Sequence, residues 1–405
     1  MSKEKKIRRH IPGQAMLQLP LLDAIADAGG RLRPGEAYER IAERLGISEN
    51  AQNLNQTYAD GKTYNVYHQQ VRWTRQTAVA QQFIATDTRG IWALTDKGYG
   101  ALGKAKSGTI ALIYSLDDGI ALWASAETAA TVIEPGIVKL ILCSPPYPAK
   151  TRSYGRMEVP EWLDWMSKLT ALWKDLIADD GTIAVNLMDT FIPGTPALDP
   201  YIERFTLDAI DTHGLCLADR MIWHAPNKLA NIQWTLKTRE RPRNTLEHIL
   251  LFSKTPMPDW NIDRVEVSPP NRNRKVDSRT TPSTRPSGYL IDPARFSNTS
   301  RPVPDNLIKA GPAPGNDRYS RRCRESGTIP HPARFPESLP KRIIGLTTRP
   351  LDICYDPMAG SNTTGKVALD MGRRFIASEA MLDYVRSSAF RFDHRPDFAP
   401  RDKRS

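Results

Sequence analysis

The chain has 405 residues, 40% of them hydrophobic and 25% charged, proportions that suit a globular protein of more than one domain. Its net charge of +11 and pI near 9.4 favour an acidic partner such as nucleic acid or a membrane surface. No apolar run reaches the length of a membrane span, and the charged start MSKEKKIRRH leads into no secretion core. The four cysteines (Cys143, Cys216, Cys323 and Cys354) make neither a CxxC pair nor a zinc spacing. The expectation is a cytoplasmic protein with free thiols, no membrane association and no metal.

In chain order, residues 17–28 have the spacing of an amphipathic helix ended by Gly29-Gly30. Residues 35–45 predict a second helix and residues 65–82 a third. Residues 83–85 and 90–94 predict two short strands around a turn at 86–89, and Thr95 is placed to cap another helix. Three helices and then a hairpin is the plan of a winged helix. From about residue 108 the pattern changes. Apolar runs at 109–114, 138–143, 182–187, 220–224 and 248–253 read as strands. The helix 160–178, carrying Trp162, Trp165 and Trp173 as core residues, lies among them, and Asp180-Gly181 reads as a turn. Strands alternating with helices predict an α/β fold with a parallel sheet.

The window 255–349 holds 14 Arg and 3 Lys against 9 acidic residues, most of the chain's net positive charge, together with 15 of its 32 prolines. Such a stretch predicts a loop-rich insert whose arginines suit phosphates and guanine edges. The sheet pattern resumes at 353–355 and 374–377.

The run at 138–143 stops at Ser144-Pro145-Pro146-Tyr147. Two prolines stiffen the loop and leave backbone carbonyls without partners. Ser144 and the Pro145 carbonyl can accept hydrogen bonds from an NH₂ group, and Tyr147 offers a face for stacking, which are the needs of a site for an extruded amino-bearing base. Cys143, directly before, reads as the buried end of a strand. Farther on, Asp356-Pro357-Met358-Ala359-Gly360-Ser361-Asn362-Thr363-Thr364-Gly365 follows an apolar strand and precedes a helix. Gly360 allows close approach of a ligand to the backbone, and this strand-to-helix turn is where open α/β sheets bind ligands. Asp356 suits a ligand ammonium, and Glu379, after the next strand, suits a ribose. No Lys-Ser or Lys-Thr follows the glycines, so the loop is not a phosphate-binding P-loop.

Together these segments resemble the β group of amino DNA methyltransferases, in which Pro-Pro-Tyr precedes the cofactor glycine loop and the target recognition region lies between. Residues 223–227 and 247–254 resemble the middle segments of that family, and 331–336 with Leu339 the segment that closes over the methionine end of the cofactor. The resemblance implies S-adenosylmethionine as cofactor, duplex DNA as partner, and a restriction endonuclease as a further partner. It implies catalytic roles for Ser144, Pro145, Pro146 and Tyr147. Cofactor binding falls to Asp117, Phe335, Pro336, Asp356, Pro357, Met358, Ala359, Gly360, Ser361, Asn362, Thr363, Thr364 and Glu379. Met358 and Asn362 depart from the family's Phe and second Gly. Serine before Pro-Pro-Tyr is typical of N4-cytosine members, whereas Asp or Asn is typical of N6-adenine members; a regulator that has lost catalysis is a further alternative. Residues 71–73, 89–95 and Gly98 resemble the N-terminal winged helix of Mrr-type restriction proteins, which implies DNA contact. The expected fold is α/β, a Rossmann-like methyltransferase divided as 1–107 winged helix, 108–254 catalytic part, 255–328 target recognition insert and 329–405 cofactor-binding part.

Overall fold

The computed structural model describes residues 11–58, 61, 63–86, 88–105, 107–149, 157–228, 232–265, 282–292, 303–328 and 330–401. The N-terminal part runs α1 (Gln14–Asp27), β1 (Arg31–Leu32), α2 (Pro34–Leu45), α3 (Glu49–Gln52), β2 (Asn55–Thr57), β3 (Thr63–Asn65), α4 (Val66–Ala80), β4 (Ile84–Ala85), β5 (Trp92–Leu94) and α5 (Asp96–Leu102). Leu17, Leu21 and Ile25 of α1 are fully buried at helical spacing and pack with Ala37 and Ile41 of α2 and Val71 and Ala78 of α4. The expected cap is present: Thr95 Oγ1 accepts from the Gly98 N–H at 3.0 Å. Gly98 is required there, because a Cβ would stand 2.2 Å from the Phe83 carbonyl oxygen. The strand β1 was not expected. Its two residues pair with β5 and give a three-stranded sheet in the order β1-β5-β4, completing a winged helix. Two residues are too few for alternation to announce them.

The second part continues with β6 (Ala111–Leu116), β7 (Gly119–Trp123), α6 (Ala126–Ala130), β8 (Val138–Cys143), α7 (Val159–Leu176), β9 (Ile177–Leu187), α8 (Tyr201–Asp211), β10 (Cys216–His224) and β11 (Leu246–Ser253). After these come β12 (Ser283–Thr284), β13 (Leu290–Ile291), β14 (Leu307–Lys309), α9 (Arg318–Glu325), α10 (Ser338–Thr347), β15 (Ile353–Asp356), α11 (Thr363–Asp370), β16 (Arg374–Glu379), α12 (Leu382–Ser388) and β17 (Ala399–Pro400). Ten strands form one Rossmann-like sheet in the order β14-β10-β11-β9-β8-β15-β16-β7-β6-β17.

The sheet is mixed rather than parallel throughout. Its centre, β9-β8-β15-β16-β7, is parallel, and antiparallel pairs (β9 with β11, β7 with β6) extend it on both sides. All six residues of β8 are buried, as a strand covered on both faces requires; five are apolar, and Lys139 is paired with Asp180 at 2.6 Å. On one face Trp162 and Trp173 of α7 are wholly buried, each removing on the order of 200 Å² from water, worth roughly 5 kcal/mol before ordering costs. On the other face α10 contributes Leu339, Ile343 and Ile344. The turn expected at Asp180-Gly181 is instead a bulge within β9: Val138 of β8 pairs with Ile177, and Leu140 with Thr182.

The basic window is more ordered in places than its composition suggests. Strand β14 adds to β10, and α9 packs near the C-terminal segment. Arg318 and Arg322 are held by Asp393 at 2.6 and 2.9 Å, and Arg334 by Asp317 at 2.7 Å. Those arginines are occupied within the fold. The stretches 266–281 and 293–302 of the expected recognition insert lie outside the described residues.

Candidate active site

The parallel centre places four loops side by side at its carboxyl edge: Ser144 after β8, Asp356 at the end of β15, Glu379 at the end of β16 and Ser125 after β7. Between them lies a cavity of about 400 Å³, within the range of small-molecule sites. All four residues Ser144, Pro145, Pro146 and Tyr147 line it, as do Phe335, Asp356, Pro357, Met358, Ala359, Gly360, Ser361, Thr363 and Glu379. The two motifs, some 200 residues apart in the chain, face one space because β8 and β15 are neighbours.

The Ser144 loop is fixed by side-chain bonds. Trp162 Nε1 donates to the Pro146 carbonyl at 2.7 Å. Ser144 Oγ and Tyr147 Oη lie 3.0 Å apart, and Tyr147 Oη donates to Glu247 Oε2 at 2.8 Å. Glu247, buried on β11, also accepts from Asn186 Nδ2 on β9 at 2.7 Å and from Lys228 Nζ at 2.7 Å. Burial, with the Glu247 carboxylate second, pushes the Tyr147 phenol well up, so it stays a donor. Burial also raises the Cys143 thiol well above its ordinary value, which makes it a core residue and no nucleophile.

The glycine loop carries two buried carboxylates. Asp356 accepts from Thr364 Oγ1 at 2.6 Å and from the Met358 N–H at 3.1 Å. Burial nevertheless raises it to about 7, with Glu379 adding to the rise. Glu379 accepts from the Gly360 and Met381 N–H groups, both at 2.8 Å, and burial raises it too. Gly360 has φ +51°, and a Cβ there would stand 3.0 Å from the His331 ring.

Four expected cofactor residues do not line the cavity. Asp117 sits in the turn between β6 and β7, at the start of β7, whereas the cavity lies past that strand's end. Sequence distance from Ser144 could not reveal which end of β7 faces the site. Pro336 lies one residue beyond Phe335. Thr364 is turned onto Asp356. Asn362 adopts a left-handed φ of +53°, caps α11 by accepting from the Gly365 N–H at 2.9 Å, and donates to Tyr114 Oη at 3.0 Å. It shapes the loop from behind.

His331, from the segment 331–336 singled out above, also lines the cavity, whereas other lining residues were not expected at the site: Ser125 and Glu127 after β7, Glu161 and Trp165 on α7, and Asp27 with Lys104 from the winged helix. Trp165, expected in the core, turns its Nε1 to Glu127 at the cavity wall. Arg391 donates to the Ser361 carbonyl at 2.6 Å and braces the glycine loop. Among the described residues no His, Cys, Asp and Glu cluster suits a metal ion.

Residues 138–390 match the family model for DNA methylases, and residues 15–104 match that for the Mrr N-terminal domain. The chain belongs to the DNA methylase family. Among relatives of this methylase, the type II methyltransferase M.PvuII of Proteus hauseri is 33% identical over 261 residues, 63% of this chain and 78% of that protein. A solved PvuII DNA methyltransferase (cytosine-N4-specific) has a TM-score of 0.57 and 28% identity over 69% of this chain and 87% of that one. The DNA adenine methyltransferase YhdJ of Escherichia coli (strain K12) is 48% identical over 63 residues, 16% of this methylase and 21% of the relative.

Proposed function

We propose that this DNA methylase transfers a methyl group from S-adenosylmethionine to N4 of a cytosine extruded from duplex DNA. The observation that carries the reading is the shared cavity of Ser144-Pro145-Pro146-Tyr147 and the glycine loop, in a chain similar over most of its methyltransferase part to a cytosine-N4-specific enzyme. The residues present fit the cofactor. Two buried carboxylates, Asp356 and Glu379, have raised affinity for protons and would be relieved by a cationic, hydroxyl-bearing ligand. Bound there, the cofactor supplies an electrophilic methyl on a sulfonium.

The protein's part is positioning. Ser144 Oγ and the Pro145 carbonyl accept the two N–H bonds of the cytosine amino group and turn its lone pair toward the methyl. Such positioning contributes roughly 7–11 kcal/mol in favourable cases. Tyr147, its hydroxyl anchored on Glu247, offers its ring to the base, and stacking of this kind is worth about 1–3 kcal/mol. The amino nitrogen gains a methyl and loses one proton. Ser144 Oγ, Tyr147 Oη and the Glu247 carboxylate form a hydrogen-bonded chain along which that proton can leave.

The winged helix and the arginines of 255–328 other than Arg318 and Arg322 serve DNA contact in this reading, within the division 1–107, 108–254, 255–328 and 329–405. A paired restriction endonuclease and a cytoplasmic location complete it; among the described residues no helix is long and apolar enough to cross a membrane. A second reading, N6 of adenine, is favoured by the short, strong likeness to an adenine methyltransferase. Expressing the chain in a host lacking both modified bases and weighing nucleosides from its DNA separates them: N4-methylcytosine supports the proposal, N6-methyladenine the second reading.

A further inference from the structure

Two of the cavity's charged wall residues belong to the winged helix. Asp27 ends α1 and Lys104 follows α5; both line the cavity, and their side chains are only 11% and 19% exposed. Lys104 Nζ contacts Asp27 Oδ1 directly, with Asp23 at 3.9 Å. The backbone around Lys104 is stitched to the segment just after Glu379. The Leu382 N–H donates to the Gly103 carbonyl at 2.5 Å, the Ala105 N–H donates to the Ala380 carbonyl at 2.7 Å, and Lys104 bridges Met381. Trp123 Nε1 fixes the same Ala380 carbonyl at 2.9 Å.

The order of strands says which end of the cavity this is. Along the carboxyl edge come the Ser144 loop on β8, the glycine loop on β15, Glu379 on β16 and Ser125 after β7, with Lys104 bound just past β16. Given the cofactor reading above, on which this inference rests, the methyl lies toward β8 and the ribose at β16. The base of the cofactor then falls beyond, against the winged helix. We infer that Asp27 and Lys104 recognise the adenine edge of S-adenosylmethionine, so that the winged helix is a wall of the cofactor pocket as well as a separate domain. A carboxylate that accepts and an ammonium that donates, side by side, complement adenine's amino group and ring nitrogen. By linkage, any partner whose affinity for the winged helix the cofactor changes must change cofactor affinity by the same factor.

The test is calorimetric binding of S-adenosylhomocysteine and S-inosylhomocysteine, whose base replaces the amino group with a carbonyl and the bare ring nitrogen with an N–H. The full-length protein is expected to prefer the adenine compound by roughly tenfold, and Asp27→Asn and Lys104→Met to lose that preference. Preference retained in both variants, while Glu379→Gln loses binding altogether, overturns the inference and leaves the cofactor reading intact. Failure of the unaltered protein to bind either compound overturns both. Hydrogen exchange of the unaltered protein decides the matter should the variants not fold. The Ala105 and Leu382 amides are expected to exchange more slowly with S-adenosylhomocysteine bound, and unchanged rates contradict the inference.

Discussion

Tyr147 Oη donates a 2.8 Å hydrogen bond to Glu247 Oε2, joining the loop after β8 to β11 across 100 residues of chain. This bond fixes the ring that faces the cavity and ties Ser144 to a carboxylate balanced by Lys228. Glu247→Gln keeps the shape but replaces a charged acceptor that serves three donors. Loss of a buried bond to a charged group costs about 1.5–3 kcal/mol, so single-turnover methyl transfer is expected to slow roughly 10- to 100-fold. Cofactor affinity should be unchanged, because Glu247 does not line the cavity. Rapid-quench kinetics beside calorimetry checks both halves.

Ser144→Ala removes one of the two amine acceptors while leaving Pro145 in place. The expected result is a fall in single-turnover rate of about two orders of magnitude, as when one positioned polar group is lost from a reacting centre. Base extrusion, followed by the fluorescence of a 2-aminopurine placed at the target, should persist.

Asp356 sets a pH dependence. Its folded value of about 7 lies above the ordinary 3.8, so the fold prefers its protonated form. That contribution to stability is fully present below about pH 4 and is lost as pH rises through 7. The ligand-free protein is therefore expected to lose thermal stability between about pH 4 and 7, and Asp356→Asn to flatten the slope. Affinity for the cationic cofactor should move oppositely, rising through pH 7 as the carboxylate forms. Thermal midpoints and binding constants across that range give both signs.

Asn362 combines a left-handed backbone with a helix cap. Asn362→Ala loses the cap and meets the left-handed cost, together about 2–3 kcal/mol in urea unfolding. Asn362→Gly removes the backbone cost and is expected to be milder, losing chiefly the cap and the bond to Tyr114.

The contrast between Asp356 and Asp117 shows what the sequence could reveal. Asp356 sits where an apolar strand meets glycine and a helix, so its own neighbours place it at the carboxyl edge. Asp117 lies in a hairpin whose two strands are equally apolar, and only the pairing of β7 with β16 decides which end reaches the cavity. The helices α1, α2, α4 and α5 and the hairpin of β4 and β5 were legible from their periodicity and turn residues; α3, β2 and β3 were not expected, and neither was β1, defined by a partner 60 residues away. Glu247 and Asn186 lie within strands whose pattern explains them as sheet residues, and Lys104 lies in a connection. Their place at the site follows from tertiary contacts that no local pattern encodes.

Transfer of labelled methyl from S-adenosylmethionine to mixed-sequence duplex DNA, followed by separation of nucleosides, decides whether cytosine N4 is the acceptor. Label is expected in N4-methylcytosine, strongly reduced in Ser144→Ala. Label confined to N6-methyladenine, or DNA binding with no label on DNA of any sequence, would contradict it.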